Sequence, residues 1–159
     1  MYETFEHTAD MGLRIRAAEL GDLFADAARA MFSVMVADLG SVRPSEAVSI
    51  VLDGGPPDEL LRRWLAELLY VFNVRRMLFC DFEVQVGAES GPGVEGVATT
   101  SSDPFSQPAA LGPLRAIARG EPIDFARHLM DVEIKAVTWH GLKVQREPDG
   151  WLAEVIVDI

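Results

Sequence analysis

Cysteine is almost absent from this 159-residue chain, in which Cys80 is the only one. A single thiol excludes an intramolecular disulfide and fits a reducing compartment. Following "MLF", Cys80 reads as a core residue rather than a nucleophile. With only three histidines beside it, a closed Cys/His zinc site is disfavoured too. Basic residues are also scarce: 14 Lys plus Arg stand against 25 Asp plus Glu, a net charge of −11. Such a surface is repelled by a polyphosphate backbone, so contact with RNA is expected to be indirect at most. A basic protein partner or a bound cation suits it better, although acidity that serves solubility is the simpler account of charge taken alone. Long apolar runs are missing, since charge interrupts each one well before the roughly 20 residues that span a bilayer. No basic segment followed by an apolar one opens the sequence, so neither a signal peptide nor a membrane association is expected. The expected location is the cytoplasm. The GxxxxGK[ST] phosphate loop, the HExxH zinc helix and the GxSxG nucleophile elbow are all absent, which lowers the weight of an enzymatic reading.

What is present suffices for one folded domain over residues 1–159, with 49% apolar residues to build its core. Residues 2–7 read as a short strand, and "GLRIRA" alternates Leu13, Ile15 and Ala17 with Arg14 and Arg16, the period of a half-buried strand. Apolar residues recur at steps of three and four from Leu20 to Met35, predicting an amphipathic helix over 20–36. "AVSIVLD" restores alternation. Pro57 and Asp58 open a second helix, which places Leu60, Leu61, Trp64, Leu65, Leu68, Leu69 and Phe72 on one face. "DFEVQV" is again strand-like. Residues 87–113, rich in Gly, Pro, Ser and Thr, read as a mobile loop region. "VEIKAVTW", "LKVQR" and "WLAEVIVDI" then form a strand meander divided by "HG" and "EPDG". The expectation is an α+β fold: two long amphipathic helices packed on one face of a mostly antiparallel or mixed sheet of six or seven strands.

Candidate chemistry gathers at the termini. His7, Thr8 and Asp10 stand where the first strand ends, and Asp158 lies one residue from the carboxylate of Ile159. If the first and last strands neighbour each other, three carboxylates converge. They would need a cation between them, and oxygen ligands suit Ca²⁺, Mg²⁺ or Mn²⁺. Against this, an Asp before Met-Gly serves a turn, and an Asp at a strand terminus is simply solvated. Residue types alone leave the two accounts level. His7 and His140 each follow a strand-like segment, where a lone histidine is more often a structural hydrogen-bonder than a ligand. Lys135 interrupts an apolar pattern on the same face as Glu133; it forms a cross-strand ion pair or offers its charge to a partner. His128 receives no functional role.

"HTADMG" at 7–12, "LGDLFADAARAMF", "LLRRWLAELLYVF", "RGEP", "EIKAVTWHGLKV" and the terminal "WLAEVIVDI" together resemble the archease family, in order, along nearly the whole chain. The resemblance implies an α+β fold and a non-enzymatic accessory protein for the RtcB-type RNA ligase. That ligase joins a 2′,3′-cyclic phosphate or 3′-phosphate to a 5′-hydroxyl in tRNA splicing and RNA repair, through a guanylylated histidine and manganese. Archeases promote the guanylylation and multiple turnover. The resemblance also places a divalent-metal site on Asp10, Asp158 and the terminal Ile159, and gives His7, Glu133 and Lys135 a supporting or partner-contact role. Two departures stand out: Trp139 replaces the usual Tyr, and the 87–113 stretch is longer and richer in Gly and Pro. The competing readings are a small metal-dependent phosphoesterase using the same carboxylates and a chaperone-like module that holds partners by an apolar patch.

Overall fold

A computed structural model describes residues 1–7, 10–87 and 110–159. Its elements run β1 (Tyr2–His7), β2 (Asp10–Ala17), α1 (Leu20–Met35), β3 (Glu46–Leu52), α2 (Pro57–Arg75), β4 (Met77–Val86), β5 (Leu114–Pro122), β6 (Ala136–Val137), β7 (Lys143–Glu147) and β8 (Gly150–Asp158). Two sheets result. The larger has the order β1-β2-β8-β6, with β7 also pairing β8; the smaller is β3-β5-β4. Every pairing between these strands is antiparallel.

The helices follow their periodicity, but α1 is buried nearly all round. It packs against β1, β2 and β8 of the larger sheet and against β4 of the smaller one. Alanines at 25, 27, 28 and 30, all buried, let these elements approach closely, while Phe24, Met31 and Phe32 fill the space between them. Each large side chain so enclosed contributes roughly 1.5–3 kcal/mol of transfer free energy. The second helix opens with Pro57 in its first turn, Asp58 and Glu59 beside the positive end of its dipole, and stops at Arg76, whose φ of 53° is left-handed. Its buried stripe contains all seven apolar residues anticipated from spacing. The Trp64 indole N–H donates to the Phe24 carbonyl at 2.9 Å and so ties the two helices together inside the core.

Two long helices on antiparallel sheet agree with the expectation. The described residues contain eight strands, close to the expected six or seven, but these are divided between two sheets instead of one. The additional strand is β5, the centre of the smaller sheet. "VEIKAVTW" yields only the two residues of β6, because Asp131 and Val132 donate their backbone N–H groups to the Met35 and Val34 carbonyls at the end of α1. That attachment draws the preceding segment away from the sheet. "EPDG" is a turn as expected: Gly150 has φ of 146°, and a Cβ there would lie 2.3 Å from the Ala17 carbonyl oxygen. Cys80 is half-buried against the core at a register irregularity between β4 and β5. Most of the expected 87–113 loop lies outside the described residues; at its base Gly87 exchanges backbone hydrogen bonds with Gly112 and Pro113.

Candidate metal centre and partner-contact edge

Strand alternation sorts β2 into two faces. Leu13 and Ile15 point into the core, so Arg14 and Arg16 point outward. Across the outer face a register row runs Glu3, Arg14, Glu154, Lys143 over strands β1, β2, β8 and β7. Its charges alternate. Arg14 bonds Glu154 at 2.9 Å and Glu3 at 3.1 Å, and Lys143 lies 3.8 Å from Glu154. Hydrogen bonding to Glu154 first, and to Glu3 second, raises the Arg14 pKa above its ordinary value.

Four residues further along the same strands, the pattern changes. The row there runs His7, Asp10, Asp158, Ala136 over β1, β2, β8 and β6. Steps of four preserve the face, so Asp10 and Asp158 share the side of the sheet occupied by Arg14 and Glu154. They are direct register partners. Opposite residues in an antiparallel pair have Cβ atoms about 4.5–5.5 Å apart. The register neighbours of Asp158 are Asp10 and Ala136, neither of them basic. Both aspartates are half-exposed. The Asp158 carbonyl accepts the Lys135 N–H at 2.7 Å, which fastens the 131–135 segment to the end of β8. Ile159 follows immediately, half-buried against the core.

The separation of the two rows has its own structural cause. Between them lies the pair Phe5 and Gly12, register partners with the Phe5 ring occupying the place a residue 12 side chain would take. Beside Gly12 on β8 is Ile156, buried. An apolar band therefore divides the balanced ion-pair row from the acidic one.

The structure thus brings Asp10, Asp158 and Ile159 to the same end of the β2–β8 pair, with His7 opposite Asp10 by register. Thr8 lies outside the described residues. Lys135 is exposed and makes no ion pair among the described residues, so of its two anticipated roles the cross-strand pair is not found. Glu133, also exposed, lines a cavity between α2 and the 123–133 segment. Among the described residues no group of three or more His, Cys, Asp or Glu side chains converges. The edge offers two side-chain carboxylates, and any further oxygen ligand must come from the main chain, the terminal carboxylate, water or a partner. Hard oxygen donors of this kind fit a Ca²⁺, Mg²⁺ or Mn²⁺ ion and do not fit a soft metal.

Sequence reading passed over another ionic cluster. Among the described residues Glu121 and His128 are the buried polar ones, and Arg127 pairs with the same Glu121 carboxylate. Its role is structural, since it joins β5 to the 123–131 segment. The glycine spacing of "GPGVEG" at 91–96 is that of G-x-G-x-x-G, and these residues lie outside the described ones. They connect β4 to β5, which pair antiparallel, whereas a dinucleotide fingerprint joins a strand to a helix in a parallel crossover unit.

The family model described as the Archease protein family (MTH1598/TM1083) matches residues 2–159. A protein archease from Methanopyrus kandleri is 40% identical over 159 residues, covering 99% of each chain. Another, from Pyrococcus furiosus, is 31% identical and covers 99% of this chain and 98% of its own. The solution structure of Methanobacterium thermoautotrophicum protein 1598 superposes with a TM-score of 0.70 at 27% identity, covering 99% of this chain and 98% of that one. An archease crystal structure from Thermotoga maritima gives a TM-score of 0.57 at 16% identity, covering 100% and 98%, which is a likeness of fold alone.

Proposed function

The chain belongs to the archease family, and from that premise we propose that it is a non-catalytic activator of an RtcB-type RNA ligase, promoting the guanylylation and multiple turnover of that enzyme in tRNA splicing and RNA repair. The single observation that carries this reading is the direct opposition of Asp10 and Asp158 at the end of the β2–β8 ladder. Two carboxylates so placed repel each other, and a divalent cation relieves the repulsion. Asp10, Asp158 and the Ile159 carboxylate would hold that ion, which supplies positive charge to the phosphates of a nucleotide. The chain's own contribution is positional: β2 and β8 fix the two aspartates across a ladder, and the Lys135 N–H anchors the backbone of Asp158.

The net charge of −11 supports the encounter, because an enzyme that binds RNA presents a basic cleft to an acidic edge. His7, Glu133 and Lys135 are supporting or partner-contact residues near that site. No helix among the described residues is long and apolar enough to cross a membrane. The proposed place of action is the cytoplasm.

The test is ligase guanylylation with GTP and Mn²⁺, with and without this protein, beside folded Asp10→Ala and Asp158→Ala variants. Stimulation by the wild type and not by the variants supports both the partner and the carboxylate site. Absence of stimulation with the ligase of the same organism rejects the activator reading. Hydrolysis of a generic phosphodiester without any ligase, abolished by Asp10→Ala, would put a metal-dependent phosphoesterase in its place.

A further inference from the structure

Large apolar side chains are exposed on one flank of the molecule, beside the acidic edge but distinct from it. Phe125 is 71% exposed and Val74 is 60% exposed. Between the last turn of α2 and the 123–133 segment lies a cavity of about 280 Å³. Met35, Phe72, Ile123 and Met130 give it an apolar lining, and Phe125 stands beside them. Tyr70 and Val74, four residues apart on α2, are exposed apolar side chains near the same end of that helix.

The walls are held by backbone hydrogen bonds. Ile123 N–H donates to the Arg76 carbonyl at 2.9 Å, and Asp131 N–H donates to the Met35 carbonyl at 2.9 Å. A groove fixed in this way needs little reordering when it is filled, which favours its use in binding. Its charged rim consists of Asp131, Glu133 and Arg76. The Arg76 guanidinium already lies over the Phe72 ring, 6.0 Å from its centroid, whereas Asp131 and Glu133 are both exposed and make no ion pair among the described residues. With two carboxylates against one guanidinium, the net charge of this rim is negative, as it is over the whole protein.

Groove and acidic edge are joined. Glu133 lines the groove, and Lys135, two residues on, donates its N–H to Asp158. The backbone from Asp131 to Lys135 reaches at most about 14 Å, so one partner surface spans both features.

We propose that this groove is a second anchor for the partner ligase: it takes one large apolar side chain of that protein, flanked by Lys or Arg residues that pair with Asp131 and Glu133. The proposal rests on the activator reading, because the occupant is the same enzyme whose site the acidic edge approaches. The groove sets affinity, and the edge acts on the nucleotide site.

The test is titration calorimetry of the full chain with the purified ligase, together with the concentration giving half-maximal stimulation of guanylylation. Phe125→Ala and Glu133→Lys each weaken the dissociation constant about tenfold and raise the half-maximal concentration in step. Both positions are exposed, so circular dichroism and thermal unfolding should match the wild type. Asp10→Ala loses stimulation while still binding, and adding Phe125→Ala to it weakens that binding by the same factor. Wild-type affinity in both groove variants overturns the second anchor and leaves the activator reading intact. Wild-type stimulation by Asp10→Ala, with weakened binding by Phe125→Ala, rejects the role of the carboxylates and retains the groove. A wild-type protein that neither binds nor stimulates the ligase overturns both.

Discussion

Phe5 closes over Gly12: a Cβ at position 12 would stand 2.1–2.3 Å from the outer atoms of the Phe5 ring. The two are register partners between β1 and β2, and the Arg14 guanidinium lies 4.9 Å from the ring centroid. The glycine of "HTADMG" is thus explained by packing rather than by an unusual backbone angle. Gly12→Ala expels the ring and loosens β1 beside Asp10. The expected cost is about 1 kcal/mol, at the low end for overpacking because the ring can swing out of a half-buried edge. Urea unfolding of Phe5→Ala, Gly12→Ala and the double variant checks it. The double variant should cost less than the sum, and strict additivity would show that the two residues do not constrain each other.

Asp158 faces Asp10 with no basic register neighbour of its own, which makes the sign of its substitution depend on metal. In EDTA, Asp158→Asn removes a like-charge pair and is expected to raise stability by up to about 1 kcal/mol. In Ca²⁺ or Mn²⁺ at about a hundred times the dissociation constant, the wild type gains roughly 2.7 kcal/mol and the variant much less. Thermal unfolding of both proteins, with and without each ion, measures this crossover. Equal shifts of Tm in the two proteins would remove Asp158 from the site.

The residues of this edge were legible, but their meeting was not. Asp10 and Asp158 stand out because each ends an alternating strand, yet no local pattern states that β2 and β8 pair across almost the full chain. The two helices were readable because a stripe at steps of three and four has one structural interpretation over so many residues. β5 was not. After Leu114 its inward positions are Ala116, Ala118 and Gly120, too small to mark an apolar face, and its central place is set by partners on both sides. Gly120 itself is required there, since a Cβ would lie 1.8 Å from the Leu78 carbonyl oxygen. The "VEIKAVTW" segment misled in the other direction. Its alternation is real, with Ile134 buried between exposed Glu133 and Lys135, but its preceding residues are held by the end of α1.

Cys80 should behave as an inert thiol. Burial, followed by the negative charge of Asp81, raises its pKa above the ordinary thiol range, with Arg29 opposing them weakly. At about pH 8 it is expected to react with a disulfide reagent more slowly than in the urea-unfolded chain, because only the thiolate attacks. Asp81→Asn should speed the reaction by lowering the pKa. The fold favours the neutral thiol, so its contribution to stability is complete below the unfolded pKa and is lost as pH rises through the folded one. Reaction at the unfolded rate in the native protein would contradict the burial seen here.

Glu121 holds the 123–131 segment against β5, and its charge is what that segment requires. One carboxylate oxygen accepts the Arg43 N–H at 2.5 Å, and the other meets Arg127 and lies 3.3 Å from His128 Nε2. The second ring nitrogen, Nδ1, accepts the Asp124 N–H at 3.0 Å, so a neutral His128 must carry its proton on Nε2, which lies near Glu121 without a hydrogen bond to it. Glu121→Gln keeps the shape but removes the charge that Arg127 and His128 face. Its expected cost is roughly 3 kcal/mol, the lower limit for breaking a buried pair, because Arg127 is 30% exposed and partly screened. Guanidinium unfolding measures the loss, and long-range nitrogen–proton spectra of the native imidazole report the tautomer. A His128 protonated on Nδ1 in its neutral form would contradict this hydrogen-bond arrangement. A Glu121→Gln variant as stable as the wild type would show that packing alone positions the segment that joins the groove to the acidic edge.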